Sequence, residues 1–135
     1  MNRSVLVLTD DLFWRSKIDH AVRSAQRTVE FTEDPAELAS ADPARHCLLI
    51  VDLAVKKPPF DAVAALKKDP ARSALPVVGY YEHVRKDLKE KAEKSGFDRV
   101  LLRSSFAEKL ADLVFEFALP GAARVASDET ELPEE

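Results

Sequence analysis

A five-stranded, doubly wound parallel sheet with helices on both faces is the α/β fold predicted for this 135-residue chain. Three observations predict it. Short apolar runs alternate five times with stretches of helical periodicity, a rhythm that right-handed crossovers turn into a parallel sheet. The run Cys47-Leu48-Leu49-Ile50-Val51 has no polar alternation, so it reads as a strand buried on both faces at the sheet centre. That run ends in Asp52, a carboxylate at the carboxyl end of a buried strand, where open α/β sheets place their crevice.

The elements follow in order. Val5 to Leu8 is a short apolar strand that breaks at Thr9-Asp10-Asp11; Leu12, Ile18 and Val22 then recur at helical spacing, with Asp10 or Asp11 able to cap the helix. Thr28-Val29-Glu30-Phe31 alternates polar and apolar residues, as an edge strand does, and Asp34-Pro35 opens a short helix through Leu38. After the buried strand 47–53 comes a proline-containing loop, Val55 to Pro59. A third helix runs from Phe60 and stops near Asp69-Pro70. Pro76 to Tyr80 is a fourth strand. Val84, Leu88 and Ala92 mark a charged fourth helix ending at Ser95-Gly96. The segment 98–103 holds a fifth strand, and Phe106, Leu110, Leu113, Val114 and Phe117 place one face of a fifth helix on the sheet. The strand order expected is 2-1-3-4-5. Residues 1–119 form the domain; residues 120–135 are read as an acidic, disordered tail, since Asp128 to Glu135 holds five acids and one proline.

Composition narrows the function classes. Hydrophobic residues make up 46%, enough for a core, and the net charge of −4 argues against general affinity for nucleic acid or an anionic membrane. No apolar run approaches a membrane span or a signal peptide, so a cytoplasmic protein is expected. Cys47, the single cysteine, reads as a small buried hydrophobe. His20, His46 and His83 lack metal-ligand spacing and read as solvated or core histidines.

In the expected strand order Asp10, Asp11 and Asp52 converge at the switch point. Carboxylates at strand ends suit magnesium, which takes oxygen ligands, and a carboxylate beside that ion can act as a nucleophile toward a phosphoryl group. The competing reading of Asp10 and Asp11 is helix capping.

These residues resemble the receiver domain of two-component response regulators over roughly residues 3 to 119. Val5 to Asp11 is similar to the family's first strand and acidic pair, and Cys47 to Leu53 to its third strand with the phosphoryl-accepting aspartate. Pro76 to Tyr81 is similar to its fourth strand, and Gly96 to Arg103 to the approach to the fifth strand and its terminal lysine. The resemblance implies a flavodoxin-like fold, Asp52 as phosphoacceptor, magnesium at Asp10, Asp11 and Asp52, and no enzymatic activity of its own. The departures fall on the chemistry. Thr9 takes the first acidic position. Tyr81 stands where a threonine or serine reports phosphorylation, and Arg103 stands for the lysine, followed by Ser104 where a proline is expected. Arginine binds phosphate as a planar fork rather than a compact ammonium, so that exchange is not conservative.

The leading expectation is an atypical, stand-alone receiver that signals by protein–protein contact, with an Arg103–Asp52 ion pair mimicking a fixed state and no residues left for a DNA-binding domain. The alternative is a working phosphoacceptor, phosphorylated on Asp52 with magnesium by a histidine kinase or phosphotransfer protein. A flavin or nucleotide binder is disfavoured by three glycines and the lack of a glycine-rich loop. The partner surface expected is the fourth helix, fifth strand and fifth helix, which would also serve a homodimer; Tyr80 and Tyr81 read as a packed switch aromatic or surface cover, with a partner surface favoured, and Trp14 as core in preference to a docking anchor.

Overall fold

Residues 3–118 are described by the structure, a computed structural model of the chain. Strands and helices alternate as β1 (Ser4–Leu8), α1 (Leu12–Ser24), β2 (Val29–Thr32), α2 (Ala36–Ala39), β3 (His46–Asp52), α3 (Phe60–Lys68), β4 (Val77–Tyr81), α4 (Lys86–Ser95), β5 (Arg99–Leu102) and α5 (Arg103–Ala118). The sheet is parallel, in the order β2-β1-β3-β4-β5, as the sequence predicts. The acidic tail expected at 120–135 lies outside the described residues.

Every residue of β3 is buried. Alternate side chains enter opposite core layers, because successive Cβ atoms point to opposite faces of a strand. Leu48 and Ile50 join Val5, Val7, Ile18, Val22, Phe106, Leu110 and Val114 beneath α1 and α5. Leu49 and Val51 join Leu6, Leu8, Val63, Leu66, Val77, Leu88 and Ala92 beneath α2, α3 and α4. Each such aliphatic side chain contributes roughly 1.5–3 kcal/mol by leaving water.

Local signals set the element ends. Asp11 is the N-cap of α1; its Oδ1 accepts the N–H groups of Phe13 (2.9 Å) and Trp14 (3.3 Å). Gly96 ends α4 at φ 97°, a left-handed conformation that costs glycine least. Two starts differ from the expectation. α4 begins at Lys86 rather than Val84, because the chain first turns through a hydrogen bond from the Arg85 N–H to the Glu82 carbonyl (2.9 Å). α5 begins at Arg103, directly after β5, rather than near Phe106, because its first three residues are polar and carry no hydrophobic period.

Two ion pairs fasten the C-terminal half. The Lys67 ammonium donates to the Ser73 and Leu75 carbonyls (3.1 and 2.7 Å) and to Asp98 Oδ2 (2.7 Å), which also accepts the Val77 N–H (2.7 Å). One lysine thus ties α3, the loop after it and the entry to β5. The Arg99 guanidinium pairs through both terminal nitrogens with Glu116 (3.2 and 2.9 Å), whose side chain is fully buried. This joins the start of β5 to the end of α5, so α5 runs antiparallel to the strands and ends beside their amino-terminal edge.

Gly79, in the middle of β4, leaves the space that Phe97 and Leu53 fill: a Cβ there would lie 2.9 Å from the Phe97 ring and 3.0 Å from Leu53. Gly79→Ala should therefore overpack the layer under α3 and α4 and lower unfolding stability by about 1–3 kcal/mol. Urea denaturation of the variant checks this; an unchanged midpoint would mean the ring moves aside without cost.

Candidate functional site

Asp52 ends β3 at the carboxyl edge of the sheet, flanked by β1 and β4 and opposite Tyr80 in register. It is only 3% exposed. Its Oδ1 accepts the Ala54 N–H (2.9 Å), and its Oδ2 accepts the Thr9 hydroxyl (3.1 Å). Thr9 is buried too, and its oxygen accepts the Asp11 N–H (3.1 Å). The hydroxyl that replaces the first acid of the expected pair is thus a relay, donating to Asp52 and accepting from the backbone that leads into α1. Burial is the largest influence on the Asp52 carboxyl and pushes its pKa up. The Ala54 N–H, the Thr9 hydroxyl and the charge of Arg103 oppose that rise, and Asp10 adds to it.

The three acids expected to converge do not form a ligand group. Asp11 is engaged as the helix cap. Asp10 is exposed, and its Oδ2 accepts the Lys56 N–H (3.1 Å), which clasps the loop after β1 to the loop after β3. Among the described residues, no three histidine, cysteine, aspartate or glutamate side chains assemble as metal ligands. Magnesium wants several oxygens with water on the remaining positions. As held here, one carboxylate is buried under a hydroxyl and two are drawn to backbone N–H groups. These residues do not fit that ion.

Arg103 does not pair with Asp52 as expected. Its guanidinium lies 5.7 Å from the centre of the Trp14 ring and donates to Glu82 Oε2 (3.0 Å). Glu82, just past β4, is the carboxylate that the turn into α4 brings to the rim. The Arg103 Nε–H is buried without a partner among the described residues.

Tyr80 and Tyr81 are not at a partner surface: they are 0% and 2% exposed. Helices cover both faces of β4, α1 and α5 over the Tyr80 side and α3 and α4 over the Tyr81 side. Tyr81 enters the layer with Leu88 and Leu102, too bulky and too enclosed to act as a small movable hydroxyl. Tyr80 faces the other way and stacks on Phe106 (4.4 Å between ring centres, 12° between planes) and against Trp14 (5.1 Å); Trp14 in turn meets Phe106 at 5.7 Å. Trp14 is in the core, as expected. The Tyr80 hydroxyl is buried with no well-formed hydrogen bond among the described residues, and Thr9 lies near enough to favour its ionised form. Burial, with the Asp52 charge adding to it, pushes this phenol far above its ordinary pKa, so it stays protonated. This aromatic trio beside Asp52 was not legible from spacing. His46, also read only as a default, is a buried histidine whose Nδ1 accepts the Asp42 N–H (3.1 Å) and whose Nε2 faces Glu30 (3.4 Å), at the amino end of β3 far from Asp52.

No family model and no curated protein sequence matches the chain. Solved structures do. A phosphorylated cyanobacterial phytochrome response regulator, RcpA, superposes with a TM-score of 0.70 at 19% identity, over 93% of this chain and all of that one. The receiver domain of a sensor histidine kinase from Pseudomonas aeruginosa, with magnesium coordinated in its active-site cleft, gives 0.73 at 14% identity, over 87% of this chain and 98% of that one. The chemotaxis protein CheY4 of Vibrio cholerae gives 0.70 at 22% identity, over 87% and 99%. The fold is that of response-regulator receiver domains.

The rise of the Asp52 pKa makes a signed prediction. An acid whose folded pKa exceeds its unfolded value holds its proton more tightly when folded. Stability therefore falls as pH rises from the free value of about 3.9 through the folded value, by about 1.4 kcal/mol for each unit between them. Asp52→Asn keeps the acceptor for Ala54 and offers an amide N–H to Thr9 without the charge. Its melting temperature should exceed that of the parent near pH 7, and the gap should close as the pH approaches about 4. Thermal unfolding across that range checks it, and a variant weaker by the same amount at every pH would overturn it.

Proposed function

We propose that this chain is an atypical receiver-like module of bacterial two-component-type signalling, cytoplasmic and non-enzymatic, that acts by binding a signalling protein rather than by accepting a phosphoryl group. The observation that carries this reading is the engagement of Asp52. Its carboxylate is buried, hydrogen-bonded on both oxygens, and set among side chains that do not suit magnesium. Phosphoryl transfer depends on charge stabilisation at the transferring group, which metal and lysine supply in most such chemistry. Here the nearest cation, Arg103, is turned to Glu82 and Trp14. The residue that would move in response to phosphate, Tyr81, is locked in the core.

The receiver fold shared with solved response regulators supports the signalling context. No helix among the described residues is long and apolar enough to cross a membrane. The partner in this reading is a histidine kinase, a phosphotransfer protein or another component of such a system. The face of α4, β5 and α5 is available to it or to a second copy: α4 is largely exposed and densely charged, and the buried Arg99–Glu116 pair holds β5 and α5 as one rigid surface.

One observation favours the working phosphoacceptor instead: Asp52 occupies the strand end at which such an acceptor belongs. Incubation with acetyl phosphate and millimolar magnesium, followed by intact mass measurement, separates the readings. The expected result is an unmodified chain. A phosphoryl adduct that disappears in Asp52→Asn would establish the working receiver in place of the closed one.

A further inference from the structure

Of the four large apolar side chains left in water among the described residues, two flank a single groove. Phe13 at the start of α1 is 66% exposed and Val84, in the turn before α4, is 71% exposed. Between them lies a groove of about 680 Å³, floored by Trp14 and Leu102 and flanked by Lys17 and Arg103. That volume is in the range of sites that hold a ligand or a few side chains. Apolar surface of this kind, rimmed by charge, is what a docking site presents. Its charged lining is Lys17 and Arg103 against Glu82, which leaves one positive charge over for an anion. Lys17 stands over the Phe13 ring at 5.8 Å, and Arg103 has a terminal nitrogen on Glu82 but a buried Nε–H with no partner among the described residues.

The chain itself carries a segment of complementary chemistry. Asp128-Glu129-Thr130-Glu131-Leu132-Pro133-Glu134-Glu135 has five acids around a single large apolar residue, Leu132. The described residues end at Ala118, by the amino-terminal edge of the strands, while the groove is at the carboxyl edge. The way back is the length of α5, whose sixteen residues rise about 24 Å. The nine residues 119–127 reach about 30 Å when extended. The acidic segment is therefore placed to arrive at the groove.

We propose that Asp128–Glu135 docks in the groove between α1, the β4–α4 turn and the start of α5, with Leu132 against Phe13 and Val84 and its carboxylates on Lys17 and Arg103. The segment covers this groove at the carboxyl edge of the sheet, so an external partner for that surface has to displace it. This goes beyond the signalling reading and does not depend on whether Asp52 accepts a phosphoryl group.

The test uses the full chain and amide NMR, with the single tryptophan as a reporter at the groove floor. The Trp14 indole N–H, the Val84 amide and the Arg103 Nε–H are compared between the parent and a tail variant carrying Asp128→Asn, Glu129→Gln, Glu131→Gln, Glu134→Gln and Glu135→Gln. Leu132→Asp is examined beside it. Neither variant touches the core, so both keep the fold. Docking predicts that all three resonances shift in both variants along a common direction. The parent should move the same way in about 1 M sodium chloride, where the screening length is about 3 Å. Coincident groove resonances in parent and variants would overturn the proposal. So would shifts that follow protein concentration instead of tail sequence, which would assign the groove to a second copy of the chain.

Discussion

β3 can be buried along its whole length only if helices cover both faces of the sheet and a strand pairs with each of its edges, and most of the architecture follows from meeting those two demands. β1 pairs with it along most of its length on one side and β4 pairs with Leu49 to Asp52 on the other. Its side chains divide between two core layers, each roofed by its own helices. Removing either roof would expose a continuous apolar strip. The price of this arrangement is that the residue at the strand's end, Asp52, is carried into the interior with it.

A carboxylate drawn inward needs hydrogen bonds to offset lost hydration, and the local sequence supplies two, from Ala54 and Thr9. Beside it the rings of Trp14, Tyr80 and Phe106 pack against one another. This packing is favourable in itself, since offset and stacked aromatic pairs contribute beyond their buried area. The Tyr80 hydroxyl, without a hydrogen-bond partner among the described residues, is held where the stack requires the ring rather than where the oxygen finds a partner.

The sheet, its order and Asp52 were legible in the sequence because an unbroken apolar run admits few alternatives and because caps such as Asp11 and Gly96 mark their helices. Thr9, Tyr81 and Arg103 could likewise be singled out by position. What those residues touch could not be read. The partner of Arg103 is fixed by how the chain turns after β4, and Glu82 lies in that turn with no periodic signal around it. The burial of both Tyr80 and Tyr81 depends on helices covering the two faces of β4 at its very end, which strand order alone does not specify. The clasp between Asp10 and the Lys56 N–H joins two loops forty-six residues apart, and no local pattern encodes it.

The buried pair of Arg99 and Glu116 has a mechanical consequence. It pins α5 to the sheet at the helix's far end, with a fully buried carboxylate that cannot be withdrawn from its guanidinium without leaving an uncompensated charge. The near end, by contrast, begins with Arg103, a half-exposed residue held at the rim by one exposed carboxylate. Phe106, one turn in, is seated against Tyr80 and Trp14, so α5 is fixed at both ends, and whatever meets the face it shares with β5 and α4 meets a fixed surface on which the Arg103–Glu82 pair is the contact open to exchange.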